Sequence, residues 1–466
     1  MKHLVIGIGR SDITPAPGTP HAGWGAQTHQ RGLGADLPLY ATALVLSDNA
    51  RQIALVDVDY GGFDDEWLGS IVGEIAKLTQ IPRDHIRLSY THTHSGPNTF
   101  RLQVISEGLD MVKNYMQGLA FRIAGAVWQA QQNLKPARVG ATKGECGINV
   151  NRRLHLPDGR VVIGRNWQGA VDRTVRVIRF DGLDEKPIAT IVHYACHPTI
   201  MAWQNQYVTP DYPGMVRKVV EEQMGGVCLF LQGAAGNIGP RRGFTGDLAV
   251  YRNLGRILGL HAAALAAEIE TLPRREGMIG LLESGTTIGL YQDEVVEPET
   301  PTLDIRSRTL RLPIRSHPDP AELETKAEKL RHELSEARRN GSEEQIRAAT
   351  AQAVQAGMDA ERASLYFGKR HIEWPLQGIR IGSIALLAVP GEPFIEIGQQ
   401  IVKASPFPHT LFSGYSNGGF GYLPTRAAFE EGGYEVNTSI FTNDAADVLV
   451  REAIGLMQDL AEEGIN

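Results

Sequence analysis

Two histidines, His92 and His94, close the run His85-Ile86-Arg87-Leu88-Ser89-Tyr90-Thr91-His92-Thr93-His94, just before Ser95-Gly96-Pro97. At a strand's period of two, Ile86, Leu88, Tyr90, His92 and His94 share one face, apolar at its start and ending in two imidazoles. Such a face packs poorly and can grip a metal at the mouth of a sheet. A buried, hydrogen-bonded histidine beside an exposed one fits this stretch, taken alone, equally well. Three other apolar runs end in the same manner, in polar residues followed by Gly or Pro. They are Ile191 to Thr199, with His193 and His197 on one face; Phe230 to Pro240, rich in glycine; and Leu386 to Glu392. Open α/β sheets gather ligands at the carboxyl ends of their strands. If these four ends meet, they supply imidazoles and a carboxylate, the N/O donors of a catalytic zinc site.

Each of these residues also has a plainer reading. Glu392 can serve the N-terminus of the helix that begins near Phe394, where the dipole favours a carboxylate. His193 reads as a satisfied core histidine. Asp57 and Asp59 fit a capping role or, alternatively, the neighbourhood of a metal. The loop from 233 to 240, with Gly236, Asn237 and Gly239, offers backbone N–H groups to an oxyanion. It lacks the GK[ST] of a phosphate loop. Arg241 and Arg242 suit either an anionic group on the substrate or a solvated surface pair.

The elements that must position these residues alternate between strand and helix. A first strand starts at the N-terminus, through Met1-Lys2-His3 to Gly9, and a Gly/Pro-rich loop from Pro15 to Gly34 carries Gly23-Trp24-Gly25. Strands are expected over Tyr40–Leu46 and Gln52–Asp59. A helix follows from Asp64 to Leu78, with Trp67, Leu68, Ile71, Val72 and Ile75 on one stripe. Further helices are expected along Met111 to Val127, Gly246 to Leu272, Phe394 to Lys403 and Ala445 to Glu463. Strands are expected at Val227–Leu231 and Ile384–Val389. Residues 319–366 differ in composition: Asp319-Pro320, Asn340-Gly341 and Ser342 with Gln345 predict a charged helical hairpin, read as a solvated insertion without a catalytic role. The pattern is that of an α/β fold with mixed β-sheets flanked by helices, one catalytic body over residues 1–466.

Composition narrows the function classes. Net charge is −7, with 42% hydrophobic and 21% charged residues. An acidic balance gives no footprint for nucleic acid, and no apolar run reaches membrane-spanning length. Cys146, Cys196 and Cys228 are odd in number and far apart, so no disulfide framework is expected. With no signal-like segment at Met1, the expected setting is the cytoplasm. The partner implied is a small-molecule substrate, and the size admits a homo-oligomer.

Seven ordered segments resemble the neutral (non-lysosomal) ceramidase family of zinc-dependent amidases. They are Gly7 to Thr14, Thr91 to Pro97, Asn149-Val150-Asn151-Arg152, His197-Pro198-Thr199, Gln232 to Pro240, Pro390-Gly391-Glu392 and Ser416 to Tyr422. The resemblance implies zinc on His92, His197, Glu392 and Tyr422, with His94 beside it handling protons; which of His92 and His94 binds directly stays open. It implies that Arg152 steadies substrate or oxyanion, beside Gly236, Asn237, Gly239 and Arg241. The chain departs from the family in three places. Gly239 stands where the family has a serine with a catalytic role, Leu37-Pro38-Leu39-Tyr40 replaces a His/Arg segment, and no immunoglobulin-like domain is expected after the catalytic body. The expectation is a zinc hydrolase that cuts an amide of a small polar substrate with metal-activated water. A lactone, ester or cyclic-amide hydrolase and a non-catalytic binder of the same fold are the alternatives.

Overall fold

Strands and helices alternate along a mixed α/β body. The computed structural model describes residues 4–21, 24–48, 50–97 and 104–462. Met1 to His3 of the expected first strand, Gly23 of the expected loop and Glu463 of the expected last helix lie outside them. Eight strands form the larger sheet, in the spatial order Val227–Gln232, Pro187–Tyr194, Thr174–Gly182, Lys135–Glu145, Leu4–Asp12, Tyr40–Ser47, Gln52–Val58 and Ile86–Tyr90. The outermost pair at each end is parallel and the inner pairs are antiparallel. The sheet curls until its two ends approach, and Phe230 N–H donates to Asp57 Oδ2 at 2.8 Å.

A second sheet (Leu303–Pro313, His371–Ile381, Ile384–Ala388, His409–Ser413) packs on the first. Between the two, Leu4, Ile6, Leu55, Phe180 and Leu229 of the larger sheet meet Ile379, Leu386 and Leu411 of the smaller. Helices Asp65–Thr79 and Leu109–Gln132, and separately Tyr212–Met224 and Leu248–Glu268, cover the large sheet. Helices Ile395–Ala404 and Ala445–Glu462 cover the small one. The order of layers is therefore helix, sheet, sheet, helix. Gly7 and Gly9 explain how the second of these helices lies so close: a Cβ at either would fall 1.9 or 2.0 Å from the carbonyl oxygens of Ala130 and Ala126.

The predicted helical hairpin forms as Pro320–Asn340 and Glu343–Tyr366, capped by Asp319 and by the Ser342/Gln345 box. It joins two neighbouring antiparallel strands, whose last rung pairs Pro313 with His371. It is not simply solvated. Leu334, Ala353 and Val354 pack on Val104, and Arg338 donates to the Val104 carbonyl at 2.8 Å. Gly25 lies against Ala351.

Three strands of the second sheet, Leu303–Pro313, His371–Ile381 and His409–Ser413, were not expected, and neither was the segment before them. Arg274–Glu283 and Thr287–Val295 pair as a two-stranded antiparallel ribbon, exposed along nearly its whole length. Its apolar run shows neither alternation nor helical spacing, because both faces carry large side chains. The helix before it is shorter than expected, Leu248–Glu268. Among the described residues no helix is long and apolar enough to cross a membrane.

Candidate metal centre

The histidine strand ends at Tyr90, sooner than a strict period of two requires. Ile86, Leu88 and Tyr90 do face the core under the helices, while Arg87 on the other face reaches the small sheet and donates to Gln377 and Leu386. Beyond the strand, His92 adopts φ 64°, in the left-handed region that non-glycine residues enter rarely. Its backbone N–H donates to Tyr60 O at 2.9 Å, and its Nδ1–H donates to Gly61 O at 2.5 Å. This tether directs Nε2 inward.

His197 likewise lies past its strand, which ends at Tyr194. Its backbone N–H donates to Ile238 O at 3.0 Å, and its Nδ1 contacts both Ala235 O and the Tyr415 hydroxyl at 3.3 Å. Imidazoles held through one nitrogen by a carbonyl, with the other nitrogen aimed at a common point, have the arrangement usual for metal ligands. Burial and the neighbouring Arg152 keep the His197 pKa well below the ordinary histidine value, so the ring is neutral.

Glu392 completes the ring of donors. Its strand fragment pairs with Tyr422-Leu423, and its N–H donates to Gly421 O at 2.8 Å. Glu392 Oε2 stands 3.7 Å from His92 Nε2 and 3.7 Å from His197 Nε2. That oxygen is buried and accepts no hydrogen bond. His94 Nε2 is 3.2 Å from His197 Nε2, and nitrogens of His92, His94 and His197 all lie within 4.8 Å of one another. Donors sharing a tetrahedral zinc at ~2.0–2.2 Å stand roughly 3.3–3.6 Å apart. The spacing, the orphaned carboxylate oxygen and the carbonyl-oriented imidazoles fit such an ion. Burial raises the Glu392 carboxyl to about 7, against the opposing pull of Arg152 and the hydroxyl of Tyr422, which donates to it.

Arg152 sits under this cluster. Its Nε donates to Glu435 Oε1 at 2.8 Å, its guanidinium lies 5.3 Å from the Tyr422 ring centre, and its buried Nη2 has no hydrogen-bond acceptor. Of the expected donors, Gly236 has its N–H engaged elsewhere, and the Asn237 side chain is held by neighbouring segments. Gly236 N–H donates to Pro393 O at 3.0 Å, Asn237 Oδ1 accepts from Ile395 N–H, and Asn237 Nδ2 donates to Glu396. Gly233 and Ile238 N–H groups are likewise taken by Tyr194 and Ala235. These bonds make this stretch of the loop a clamp between the His197 and Glu392 segments. Gly239 pairs with Val150, and a Cβ there would meet Arg152 Cβ at an easy 3.4 Å. Arg241 is exposed with Nη1 on the Gly147 carbonyl, apart from these contacts.

His193 is a core histidine, its Nε2–H donating to Phe412 O at 2.9 Å. Asp57 and Asp59 both bind the buried Arg217, which gives them a structural task and leaves capping and metal roles without support. Sequence reading missed Tyr415, whose ring lies 4.6 Å from that of His92, and Glu435, which holds Arg152 and Arg153. The Gly-rich loop around Tyr415 was the available signal. It also passed over Trp24 as a wall of the site: its ring lies 5.3 Å from His94, with Phe244 and Trp203 at 5.7 and 6.3 Å.

A family profile described as neutral/alkaline non-lysosomal ceramidase, N-terminal, matches residues 4–240. The chain is 24% identical to the neutral ceramidase of Pseudomonas aeruginosa over 472 positions, 94% of this chain and 69% of that protein. With the neutral ceramidase of Drosophila pseudoobscura pseudoobscura it shares 26% identity, over 47% of this chain and 32% of the other. The crystal structure of the Pseudomonas aeruginosa enzyme superposes with a TM-score of 0.69 at 21% identity, covering 99% of this chain and 75% of that one. The histidine pair, the clamp loop and Arg152 all fall inside the matched span, which takes in just over half the sequence, so this chain belongs to the neutral/alkaline non-lysosomal ceramidase family.

Proposed function

We propose that the chain is a zinc-dependent hydrolase that cleaves the amide (N-acyl) bond of a small polar substrate. One observation carries this reading: a buried Glu392 oxygen without a hydrogen bond, facing the Nε2 atoms of two carbonyl-tethered histidines. The class of bond follows from the family, whose named members are ceramidases.

His92, His197 and Glu392 would hold the ion, with Tyr422 alongside Glu392. Zinc, when bound, supplies a Lewis acid for the scissile carbonyl and lowers the pKa of water. The remaining work belongs to side chains. His94, half-buried beside His197, moves the proton between the attacking water and the leaving amine. Arg152 offers its unfilled Nη2 to the carbonyl oxygen, where a guanidinium stabilises developing negative charge. Trp24, Trp203 and Phe244 give the acyl group an apolar wall. Gly239 provides no nucleophile, so water is the attacking group. Three free, buried cysteines accord with a cytoplasmic setting.

The test is metal analysis of purified protein together with an acyl panel of amides, esters and lactones. We expect one zinc per chain, amide turnover that chelation abolishes and zinc restores, and loss of both metal and turnover in His92→Ala and His197→Ala. Gly239→Ser should change kcat by less than ~3-fold, since the attack does not use that position. Protein that binds no zinc yet turns over amides would sink the proposal. Zinc-loaded protein that binds acyl ligands without cleaving them would establish the binder instead, and cleavage confined to esters or lactones would move the bond.

A further inference from the structure

The ribbon Arg274–Val295 is out of keeping with the rest of the surface. Nine large hydrophobic side chains between Met278 and Val296 are exposed, Leu281 by 66% and Ile279 by 63%. That is close to half of all such side chains exposed among the described residues. Register places Leu282, Ile288 and Leu290 on one face and Met278, Leu281 and Tyr291 on the other, with Ile279 at a bulge between them. Neither face packs on the body of the chain. A lone two-stranded ribbon is only marginally stable in water, and apolar patches of this size mark interaction surfaces.

We propose that the ribbon is a dimerisation arm, and that its occupant is a second copy of this chain related by a two-fold axis. Two considerations select that occupant. The first is area: roughly 80–100 Å² of each of these side chains is open, on the order of 800 Å² in all, the share that each partner brings to a standard interface. The second is that the ribbon is apolar on both faces and so needs two covers. Reciprocal exchange supplies both, the partner's arm on one face and the partner's body on the other, as an isologous contact requires. A bilayer fits worse. The turn Ser284-Gly285-Thr286 is polar and follows Glu283, and two arginines stand against four carboxylates along Arg274–Val295, a balance that anionic lipid repels.

The test is sedimentation velocity of the full-length, metal-loaded chain across nanomolar to micromolar concentration, beside two variants. One is the pair Leu281→Lys and Leu290→Lys. The other replaces 275–294 by two glycines, which the adjacent ends Arg274 and Val295 permit. We expect a dimer whose Kd rises at least ~30-fold in the lysine variant and a monomer on deletion, both with unchanged zinc content. A monomeric parent chain overturns the proposal, as does a dimer that survives deletion. So does a parent chain that stays monomeric but floats with phosphatidylcholine vesicles, which would assign the ribbon to a membrane surface.

Discussion

Glu392 is the residue on which the site's pH behaviour turns. Burial raises its carboxyl from 4.5 to about 7, so between those values the folded, metal-free chain keeps a proton that the unfolded chain has released. The group therefore favours the metal-free fold as pH falls through that window and disfavours it above. Metal binding needs the carboxylate and expels the proton. His197, held neutral by burial, adds no competing proton there. Zinc affinity measured by chelator competition should thus weaken as pH falls through about 7, and Glu392→Gln should bind more weakly with a shallower pH dependence there. An unchanged slope in the variant would remove Glu392 from the site. At this scale the sequence pointed to His92, His94 and His197, whose ring nitrogens do come within 4.8 Å of one another. It was silent on conformation: nothing in Thr91-His92-Thr93 announces φ 64°, at a cost of roughly 1–2 kcal/mol.

Among the elements, the clamp loop 233–240 decides whether the donors meet. A Cβ on Gly236 would lie 2.3 Å from Glu392 O, with Pro393 O at 3.0 Å. Gly236→Ala must therefore push the Glu392 segment away from His197. We expect it to destabilise the chain by about 1–3 kcal/mol in denaturant titration and to weaken zinc binding by more than tenfold; tight zinc binding in that variant would show that the clamp does not set the site. The capped hairpin helices could be read in advance, because Asx, Pro, Gly and Ser punctuate them. The Arg274–Val295 ribbon could not, since a strand apolar on both faces has no period of two to detect. The loop's role as a clamp was equally hidden. Which partner an N–H takes depends on what packs against it, and here that is a strand fragment far along the chain, Glu392-Pro393.

For the molecule as a whole, closure of the curled sheet rests on a buried ion triad. Arg217 Nη1 donates to Asp57 at 2.9 Å and Nη2 to Asp59, while Phe230 and Tyr40 N–H groups bind the same carboxylates. Burial raises the Asp57 carboxyl to about 6, with Arg217 opposing. Arg217→Met leaves two carboxylates without their cation, and a loss of about 3–5 kcal/mol is expected, read from the denaturant midpoint; a loss below ~1 kcal/mol would mean that the triad is dispensable. The layered α/β class was legible from alternation of period. The pairing of Asp57 and Asp59 with a helix 160 residues on was not, because long-range ion pairs leave no local pattern.

The helical hairpin enters and leaves through one rung, Pro313 opposite His371, yet rests on Gly25 and Val104 beside the aromatic wall. None of the candidate donors lies between those two residues, and the two helices meet the body at Val104 and Gly25, away from His92, His197 and Glu392. A change within this hairpin therefore reaches the neighbourhood of Trp24, through Gly25 and Ala351, before it reaches any candidate donor.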